Sequence, residues 1–243
     1  MRIVGIIPAR YGSTRFPGKP LAELWGKPLI QHVYERARSS EILEKVVVAT
    51  DDERILRTVK EFGGEALMTS PEHTCGTERI AEAAGILGLA DEDIVVNIQG
   101  DQPLLAPEAL EDLVRPLLLS GEIPMATLAI PMENPEEIED PNRVKVVLDR
   151  QGRALYFSRS PIPYFRPPGK APGYLRHIGL YAYRKEFLDL FVTLPPGELE
   201  QAEKLEQLRA LENGYPIAVT ITPYACPEVD TPEDLERLRE GRG

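Results

Sequence analysis

Apolar runs alternate with amphipathic segments through the first half of the chain. The runs are short and rich in β-branched residues, which predicts buried strands at 2–8, 45–49, 65–68 and 93–98. After each run, apolar residues recur at helical spacing, which predicts helices at about 28–39, 52–62 and 107–119. Thr77 is expected to cap a further helix, in which Ile80, Ala83, Ala84 and Leu87 face the core. Strict alternation of strand and helix predicts a parallel sheet with helices on both faces.

The second half has a different pattern. Strands are predicted at 125–130, 143–148, 153–157, 174–183 and 216–221, and the turn at 149–152 predicts that the second and third of these form a hairpin. Helices are predicted at about 185–193, 201–212 and 232–240. No internal repeat or low-complexity linker interrupts the chain. The sequence therefore predicts a single α/β domain, 1–243, with a mixed sheet.

Composition narrows the function. The formal net charge of −11 argues against a nucleic-acid-binding protein. No run of about 18 apolar residues is present, so no membrane span is expected. The start of the chain lacks the pattern of a signal peptide. Two cysteines in a chain of 243 residues favour a reducing compartment, so we expect a cytoplasmic protein.

A basic segment stands out against this acidic background. The first 22 residues contain Arg2, Arg10, Arg15 and Lys19 and no acidic residue. Such a cluster fits a small anionic ligand, although a solvated loop has the same composition. The loop matches neither common phosphate-binding motif, since GxGxxG is absent and Lys19 is followed by Pro20 where a Walker A motif has Ser or Thr.

Polar residues follow several predicted strands: Thr50-Asp51, Gln99–Asp101 and the region before Asp230. In an open α/β sheet, the carboxyl ends of the strands form the ligand site. Asp101 lies beside Gly100, which leaves room for a cation, and Mg²⁺ uses one or two carboxylates plus substrate phosphates. From spacing alone, a turn-capping Asp stays open as the other interpretation of Asp101.

Seven segments, in order along nearly the whole chain, resemble the motifs of the 3-deoxy-manno-octulosonate (Kdo) cytidylyltransferases. They are Ile7–Leu21 (IPARYGSTRFPGKPL), His73–Arg79 (HTCGTER), Ile98–Pro103 (IQGDQP), Tyr156–Pro163 (YFSRSPIP), Arg176–Tyr183 (RHIGLYAY), Leu205–Arg209 (LEQLR) and Val229–Leu235 (VDTPEDL). The resemblance implies a three-layer α/β/α domain of the nucleotide-diphospho-sugar transferase type, with a mostly parallel mixed sheet. Nucleotide-binding elements would lie in about 1–120, and sugar-acid-binding and dimerisation elements in about 121–215.

The resemblance also implies a reaction, in which CTP and Kdo give CMP-Kdo and diphosphate for lipopolysaccharide biosynthesis. Arg10, Arg15 and Lys19 would hold the triphosphate. Asp101 and Asp230 would hold Mg²⁺, with helix capping as the alternative role for Asp230. The residues that would complete the nucleotide site are Pro8, Ala9, Gly76, Thr77 and Arg79.

The implied Kdo-binding residues are Gln99, Arg159, His177, Tyr181, Glu206 and Gln207, with Arg159 as the partner of the carboxylate. Helical spacing would place Glu203, Glu206 and Gln207 on one face, and a solvent-facing stripe is the alternative. His177 and Tyr181, four apart on a predicted strand, would point to the same side.

Several alternatives stay open. The same chemistry on sialic acid, a nucleotidyltransferase acting on sugar phosphates, and a nucleotide-binding regulatory protein without turnover are each possible. An amino-substituted Kdo could be the acceptor. Cys75 and Glu78 replace the Ser and Asp usual in the second motif, and Glu228 stands where the family often has Gly. Family resemblance implies a homodimer.

Overall fold

A computed structural model describes residues 1–12, 16–166 and 173–241. Its strands are β1 (Ile3–Ala9), β2 (Glu23–Leu24), β3 (Lys27–Pro28), β4 (Lys45–Thr50), β5 (Ala66–Met68), β6 (Ile94–Asn97), β7 (Met125–Met132), β8 (Lys145–Leu148), β9 (Ala154–Ser158), β10 (Tyr174–Arg184) and β11 (Ile217–Ile221). Its helices are α1 (Leu29–Arg38), α2 (Glu53–Glu61), α3 (Gly76–Ile86), α4 (Pro107–Leu119), α5 (Pro135–Glu139), α6 (Lys185–Thr193), α7 (Glu198–Glu203), α8 (Leu208–Glu212) and α9 (Pro232–Arg239). No helix in these ranges is long and apolar enough to cross a membrane.

The main sheet is mixed, with the strand order β11-β7-β10-β6-β1-β4-β5. β6, β1, β4 and β5 are parallel to one another, as the alternating first half predicts. The long strand β10 lies between β6 and β7 and is antiparallel to both. The predicted hairpin is confirmed as β8 and β9, which join the sheet through β10. The outcome is the mostly parallel mixed sheet that the resemblance implies.

Helices cover both faces of this sheet. Side chains alternate across a strand, so β1 sends Ile7 to one core and Ile6 to the other. The first core packs α1, α2 and α4 against the sheet, and the second packs α3, α6 and α8. A small third cluster holds α9 against the β2–β3 region through Leu235 and Leu238. The predicted three-layer architecture is therefore confirmed.

The predicted helix at 201–212 is wrong. The structure has two short helices there, α7 and α8, and the first ends at Lys204, whose φ of 54° is left-handed. The amide of Leu205 then donates to the carbonyl of Glu200, and the Leu205 side chain is buried. Because the chain changes direction here, Glu203, Glu206 and Gln207 do not share one helical face.

Two smaller expectations also need correction, and a third is confirmed. Thr77 lies inside α3, which begins after Cys75, so it does not cap that helix. His32, expected to be a plain surface residue, has Nε2 2.6 Å from the carbonyl oxygen of Leu24 and its ring edge-on to Trp25. The expectation that His177 and Tyr181 point to the same side of β10 is confirmed, since their ring centroids lie 5.5 Å apart although the strand is irregular between Ile178 and Tyr181.

Candidate functional site

A cleft of about 270 Å³ opens where β1 and β6 end. Two of the predicted polar segments, Gln99–Asp101 and the region at Asp230, come together here as expected, whereas Thr50 and Asp51 are not part of the lining. The lining residues are Pro8, Ala9, Arg10, Lys19, Pro20, His73, Cys75, Gly76, Arg79, Gln99, Gly100, Asp101 and Asp230. All the sequence-predicted nucleotide and metal residues are in this set except Thr77 and Arg15, and Arg15 lies outside the described residues.

Two glycines keep the floor of the cleft open beside Pro8. A Cβ atom at Gly76 would lie 3.3 Å from Pro8 Cγ, and one at Gly100 would lie 3.2 Å from the Pro8 carbonyl oxygen. Both distances are tighter than ordinary packing, so any side chain at either position would push against β1. Gly76 is also the first residue of α3, whose amino-terminal dipole favours an anion.

Lys19 joins the two candidate metal carboxylates. Its Nζ donates to Asp101 Oδ2 at 2.6 Å and lies 3.7 Å from Asp230 Oδ1. A left-handed Gly18 (φ 74°) starts the turn that places Lys19, and its amide donates to the carbonyl of Tyr11. Both carboxylates therefore lie close to the same ammonium group, although 129 positions separate them in the sequence.

The alternative role for Asp230, capping of α9, is wrong. Thr231 is the N-cap, and its hydroxyl accepts from the amide of Asp234 at 3.3 Å. The Asp234 carboxylate in turn accepts from the amides of Asp230 and Thr231, at 2.9 and 2.8 Å. This capping box fixes the backbone around Asp230 and leaves capping independent of its carboxylate.

Thr77 and Arg79 contact protein groups around the cleft. Thr77 Oγ1 donates to Glu206 Oε2 at 2.5 Å, and Cys75 Sγ donates to the other Glu206 oxygen at 3.2 Å. Arg79 is buried, and its guanidinium donates to Asp51 at 2.7 Å and Thr69 at 2.6 Å. These contacts hold the wall of the cleft together, and direct nucleotide binding by Thr77 and Arg79 stays a prediction.

A second cavity, of about 230 Å³, is lined by polar side chains of the kind expected in a sugar-binding site. Three of the predicted Kdo-binding residues, His177, Tyr181 and Gln207, line it together. Gln99 belongs to the first cleft instead, and Glu206 faces the Cys75–Thr77 segment. The remaining lining residues are Asn142, Arg143, Val144, Arg176, Ile178, Gly179, Leu205, Cys226 and Glu228.

The ring of His177 is neutral in this cavity. Desolvation lowers its pKa from 6.5 to about 3. Thr127 Oγ1 lies 2.7 Å from the carbonyl oxygen of Leu180 and 2.9 Å from His177 Nε2. The single hydroxyl proton goes to the carbonyl, so Nε2 carries the ring proton and donates to Thr127. Nδ1 is then the ring nitrogen that can accept a hydrogen bond from a ligand.

Tyr181 keeps its proton as well. Desolvation raises the pKa of the phenol well above 10, and the negative charges of Glu206 and Glu228 add to the shift. His177 and Tyr181 therefore offer neutral donors and acceptors for hydroxyl groups.

Glu228 connects the two cavities. It lines the second, while Asp230 lines the first, and the Val229 amide between them donates to the carbonyl of Asp101 at 2.9 Å. Glu228 Oε1 accepts from Gln102 Nε2 at 3.1 Å. Desolvation raises the pKa of Glu228, and Asp101 and Asp230 raise it further. The linings of the two cavities therefore come close to each other at Glu228, Asp101 and Asp230.

The comparisons with known proteins agree with this geometry. The family model described as Cytidylyltransferase matches residues 4–221. The chain belongs to the cytidylyltransferase family. Among solved structures, this cytidylyltransferase is similar to a CMP:2-keto-3-deoxy-manno-octonic acid synthetase complexed with CTP, with 45% identity, a TM-score of 0.93, and 99% and 98% of the two chains covered. A 4-diphosphocytidyl-2C-methyl-D-erythritol synthase, 14% identical with a TM-score of 0.66, shares the fold.

Curated relatives of this cytidylyltransferase carry two acceptor names. A 3-deoxy-manno-octulosonate cytidylyltransferase from Syntrophobacter fumaroxidans is 58% identical, over 98% of this chain and 96% of the relative. An 8-amino-3,8-dideoxy-manno-octulosonate cytidylyltransferase from Shewanella pealeana is 54% identical, over 100% and 98%. Overall identity therefore does not separate the two acceptors.

Sequence reasoning missed three charged residues of the second cavity in this cytidylyltransferase: Arg143, Arg176 and Glu228. A signal existed for two of them. Arg176 opens the same motif as His177, and Glu228 departs from the Gly usual before the last motif. Arg143 precedes β8 in a loop without any motif, and only the fold brings it to the cavity.

Arg159, predicted to hold the sugar carboxylate, is placed elsewhere. Its guanidinium donates to three backbone carbonyls: Glu203 at 2.6 Å, Pro141 at 3.0 Å and Lys204 at 3.4 Å. Its amide donates to the Glu203 carboxylate at 2.9 Å. Arg159 thus joins the end of β9 to the α7–α8 connection, and it is not among the residues that line either cavity described above.

We expect Arg159→Gln to lower the stability of the cytidylyltransferase. Hydrogen bonds to a charged group contribute about 1.5–3 kcal/mol each, and a loss of that size lowers the melting temperature by several degrees. Thermal unfolding followed by circular dichroism measures the change. Arg150→Gln, which removes an arginine from the exposed β8–β9 turn, is the matched control. An unchanged melting temperature for Arg159→Gln would show that the three carbonyl contacts are energetically unimportant.

Proposed function

We propose that this chain transfers CMP from CTP to the anomeric hydroxyl of Kdo, giving CMP-Kdo and diphosphate, and so activates Kdo for lipopolysaccharide biosynthesis. One observation carries the proposal: the cleft with the cytidylyltransferase motifs adjoins a cavity lined by His177, Tyr181 and Gln207, at a cluster of carboxylates. The relatives and the similar solved structure support the choice of CTP and of an octulosonate acceptor.

The reaction is a single in-line displacement. The anomeric oxygen forms a bond to the α-phosphorus of CTP, the bond to the bridging oxygen breaks, and diphosphate leaves with the negative charge. The hydroxyl proton passes to solvent. Positioning the two substrates in adjoining cavities supplies much of the rate. Fixed cations at the triphosphate, Arg10 and Lys19 here, stabilise the charge that grows on diphosphate.

Asp101 and Asp230 suit a Mg²⁺ ion. Oxygens of both carboxylates lie close to the Lys19 ammonium, at 2.6 and 3.7 Å, so they are close enough to share one cation. Carboxylate oxygens are the hard ligands that Mg²⁺ prefers. No group of three or more potential ligands forms within residues 1–12, 16–166 and 173–241, which fits an ion completed by substrate phosphates and water. When bound, Mg²⁺ polarises the phosphate and lowers the pKa of a coordinated hydroxyl.

The identity of the acceptor can be tested with a panel of four sugars. Diphosphate release from CTP is measured with Kdo, its 8-amino-8-deoxy analogue, sialic acid and a hexose 1-phosphate. We expect turnover with the octulosonates and at most traces with the others. A preference for sialic acid or hexose 1-phosphate would overturn the proposal. A strong preference for the amino analogue would reassign the acceptor and leave the chemistry unchanged.

The nucleotide preference is a separate prediction. We expect kcat/KM for CTP to exceed the values for UTP and ATP by at least about 10²-fold, since buried polar groups that match one base edge are left unpaired by another. Gly76 and Gly100 flank Pro8 so closely that an added Cβ atom would have no room, which leaves this part of the cleft open to a base. The same diphosphate assay with each nucleotide and Kdo measures the ratio. Comparable turnover with ATP would contradict a cytosine-specific site.

The proposal includes a cytoplasmic homodimer. Both cysteines are free thiols, which supports a reducing compartment. The β8–β9 hairpin exposes Leu155, which supports a contact between two copies there. Sedimentation of the wild type and of Leu155→Glu tests the dimer, since the charge should weaken an apolar interface.

A further inference from the structure

The second cavity contains two arginines with no assigned partner. Arg176 lies on β10, directly before His177, and Arg143 precedes β8. Both guanidinium groups belong to residues that line the cavity. Within the described parts of the chain, no carboxylate forms an ion pair with either of them, and neither side chain makes a hydrogen bond.

Keeping these two cations together costs free energy in the free protein. Desolvation lowers the pKa of Arg176, and the positive charge of Arg143 lowers it further, while Glu137 and Glu228 act in the opposite direction. A cavity that holds two guanidinium groups and one carboxylate, Glu228, keeps an excess of positive charge that is complementary to an anion. Arginine is also the side chain best suited to bind a carboxylate through two parallel hydrogen bonds.

A second observation points to a ligand in the same place. Gln207 is 3% exposed and lines this cavity, and its side-chain Nε2 has no hydrogen-bond partner. A buried donor without a partner is costly, so such groups commonly serve a ligand. The cavity thus presents two guanidinium groups and one free amide, which are all donors.

We propose that Arg176, with Arg143 beside it, binds the carboxylate of the sugar-acid acceptor. The inference rests on the proposed function, because it names the residues of the acceptor site that recognise the acid group. It replaces Arg159, whose guanidinium is engaged by three carbonyls. Glu228 lies on the side of the cavity next to Asp101 and Asp230, and its negative charge disfavours an anion there. The arginines are therefore the part of the cavity that fits an anion.

The test compares an acid with its neutral counterpart. Diphosphate release is measured with Kdo and with Kdo in which the C1 carboxylate is an amide. We expect the wild type to prefer the acid by about 10²-fold in kcat/KM, the size typical of a charge-assisted pair. In Arg176→Gln, kcat/KM for the acid should fall by about 30-fold or more, whereas the value for the amide should change less than about 3-fold. KM for CTP should not change.

Further variants make the result specific. Arg143→Gln should reduce the preference for the acid in the same direction, and Arg150→Gln, in the exposed β8–β9 turn, should leave it at the wild-type value. If Arg176→Gln does not fold, Arg176→Lys keeps the charge but loses the two parallel hydrogen bonds, and the preference should fall by about 10-fold.

Two outcomes would overturn the inference. One is equal loss of activity with acid and amide in the Arg176 variants. The other is a wild-type preference for the acid that survives substitution at both Arg176 and Arg143. Failure of the proposed function looks different, since the wild type would then release no diphosphate with any octulosonate.

Discussion

Replacing Asp230 with asparagine is expected to give a folded protein that has lost nearly all CMP transfer. Asparagine keeps the size and one oxygen of the side chain but removes the negative charge that Mg²⁺ favours. We expect kcat to fall by about 10³-fold or more, because the proposed ion contributes several kcal/mol to the transition state. Part of the activity should return at high Mg²⁺ or with Mn²⁺. Diphosphate release at saturating CTP and Kdo, with a melting curve, measures both quantities.

The capping box next to Asp230 provides a matched control. Thr231→Ala removes the N-cap of α9 and should cost about 1 kcal/mol of stability, with kcat close to the wild-type value. Asp230→Asn should show the reverse, with lost turnover and a nearly unchanged melting temperature. Full activity in a well-folded Asp230→Asn protein would leave Asp101 as the remaining metal carboxylate. A large loss of turnover in Thr231→Ala would show that the backbone at Asp230, and not its charge, limits the reaction.

The first half of the fold could be predicted because its signals are local. Each strand is a short apolar run and each helix an amphipathic segment, so the alternation gives the parallel sheet directly. The position of β10 between β6 and β7 has no local signal, since pairing of distant strands depends on the whole chain. The break at Lys204 was missed because a lysine in a left-handed conformation is rare, and burial of Leu205 in the core favours it here.

Part of the candidate site could also be predicted from the sequence. Asp101 follows a strand and Asp230 precedes a helix, and parallel strands bring such positions to one edge of the sheet. The surroundings of Arg159 could not be predicted, because a sequence shows that a cation is present but not which groups surround it. Three carbonyls from two distant segments surround this one. Arg143 and Glu206 reach their places only through tertiary packing.

Replacing Lys19 with alanine is expected to slow transfer by about 10²-fold at saturating CTP, the size seen when one preorganised charge stabiliser is removed. In the structure, the ammonium is 2.6 Å from Asp101 and 3.7 Å from Asp230, and its side chain is mostly buried. It therefore stands at the point where the carboxylates meet the nucleotide cleft. Loss of this cation leaves the growing charge on diphosphate less compensated.

Two control variants identify what Lys19 contributes. Lys27→Ala removes a more exposed lysine, paired to Glu35, and should change neither kcat nor KM. Lys19→Arg keeps the charge in a larger group and should recover part of the rate. The kinetic pattern of Lys19→Ala then decides between two roles. A higher KM for CTP with an unchanged kcat would mean that Lys19 binds substrate and transition state equally, which would remove it from the catalytic residues. A lower kcat at saturating CTP would mean that its charge acts mainly on the departing diphosphate, because only an interaction stronger in the transition state than in the bound substrate changes kcat.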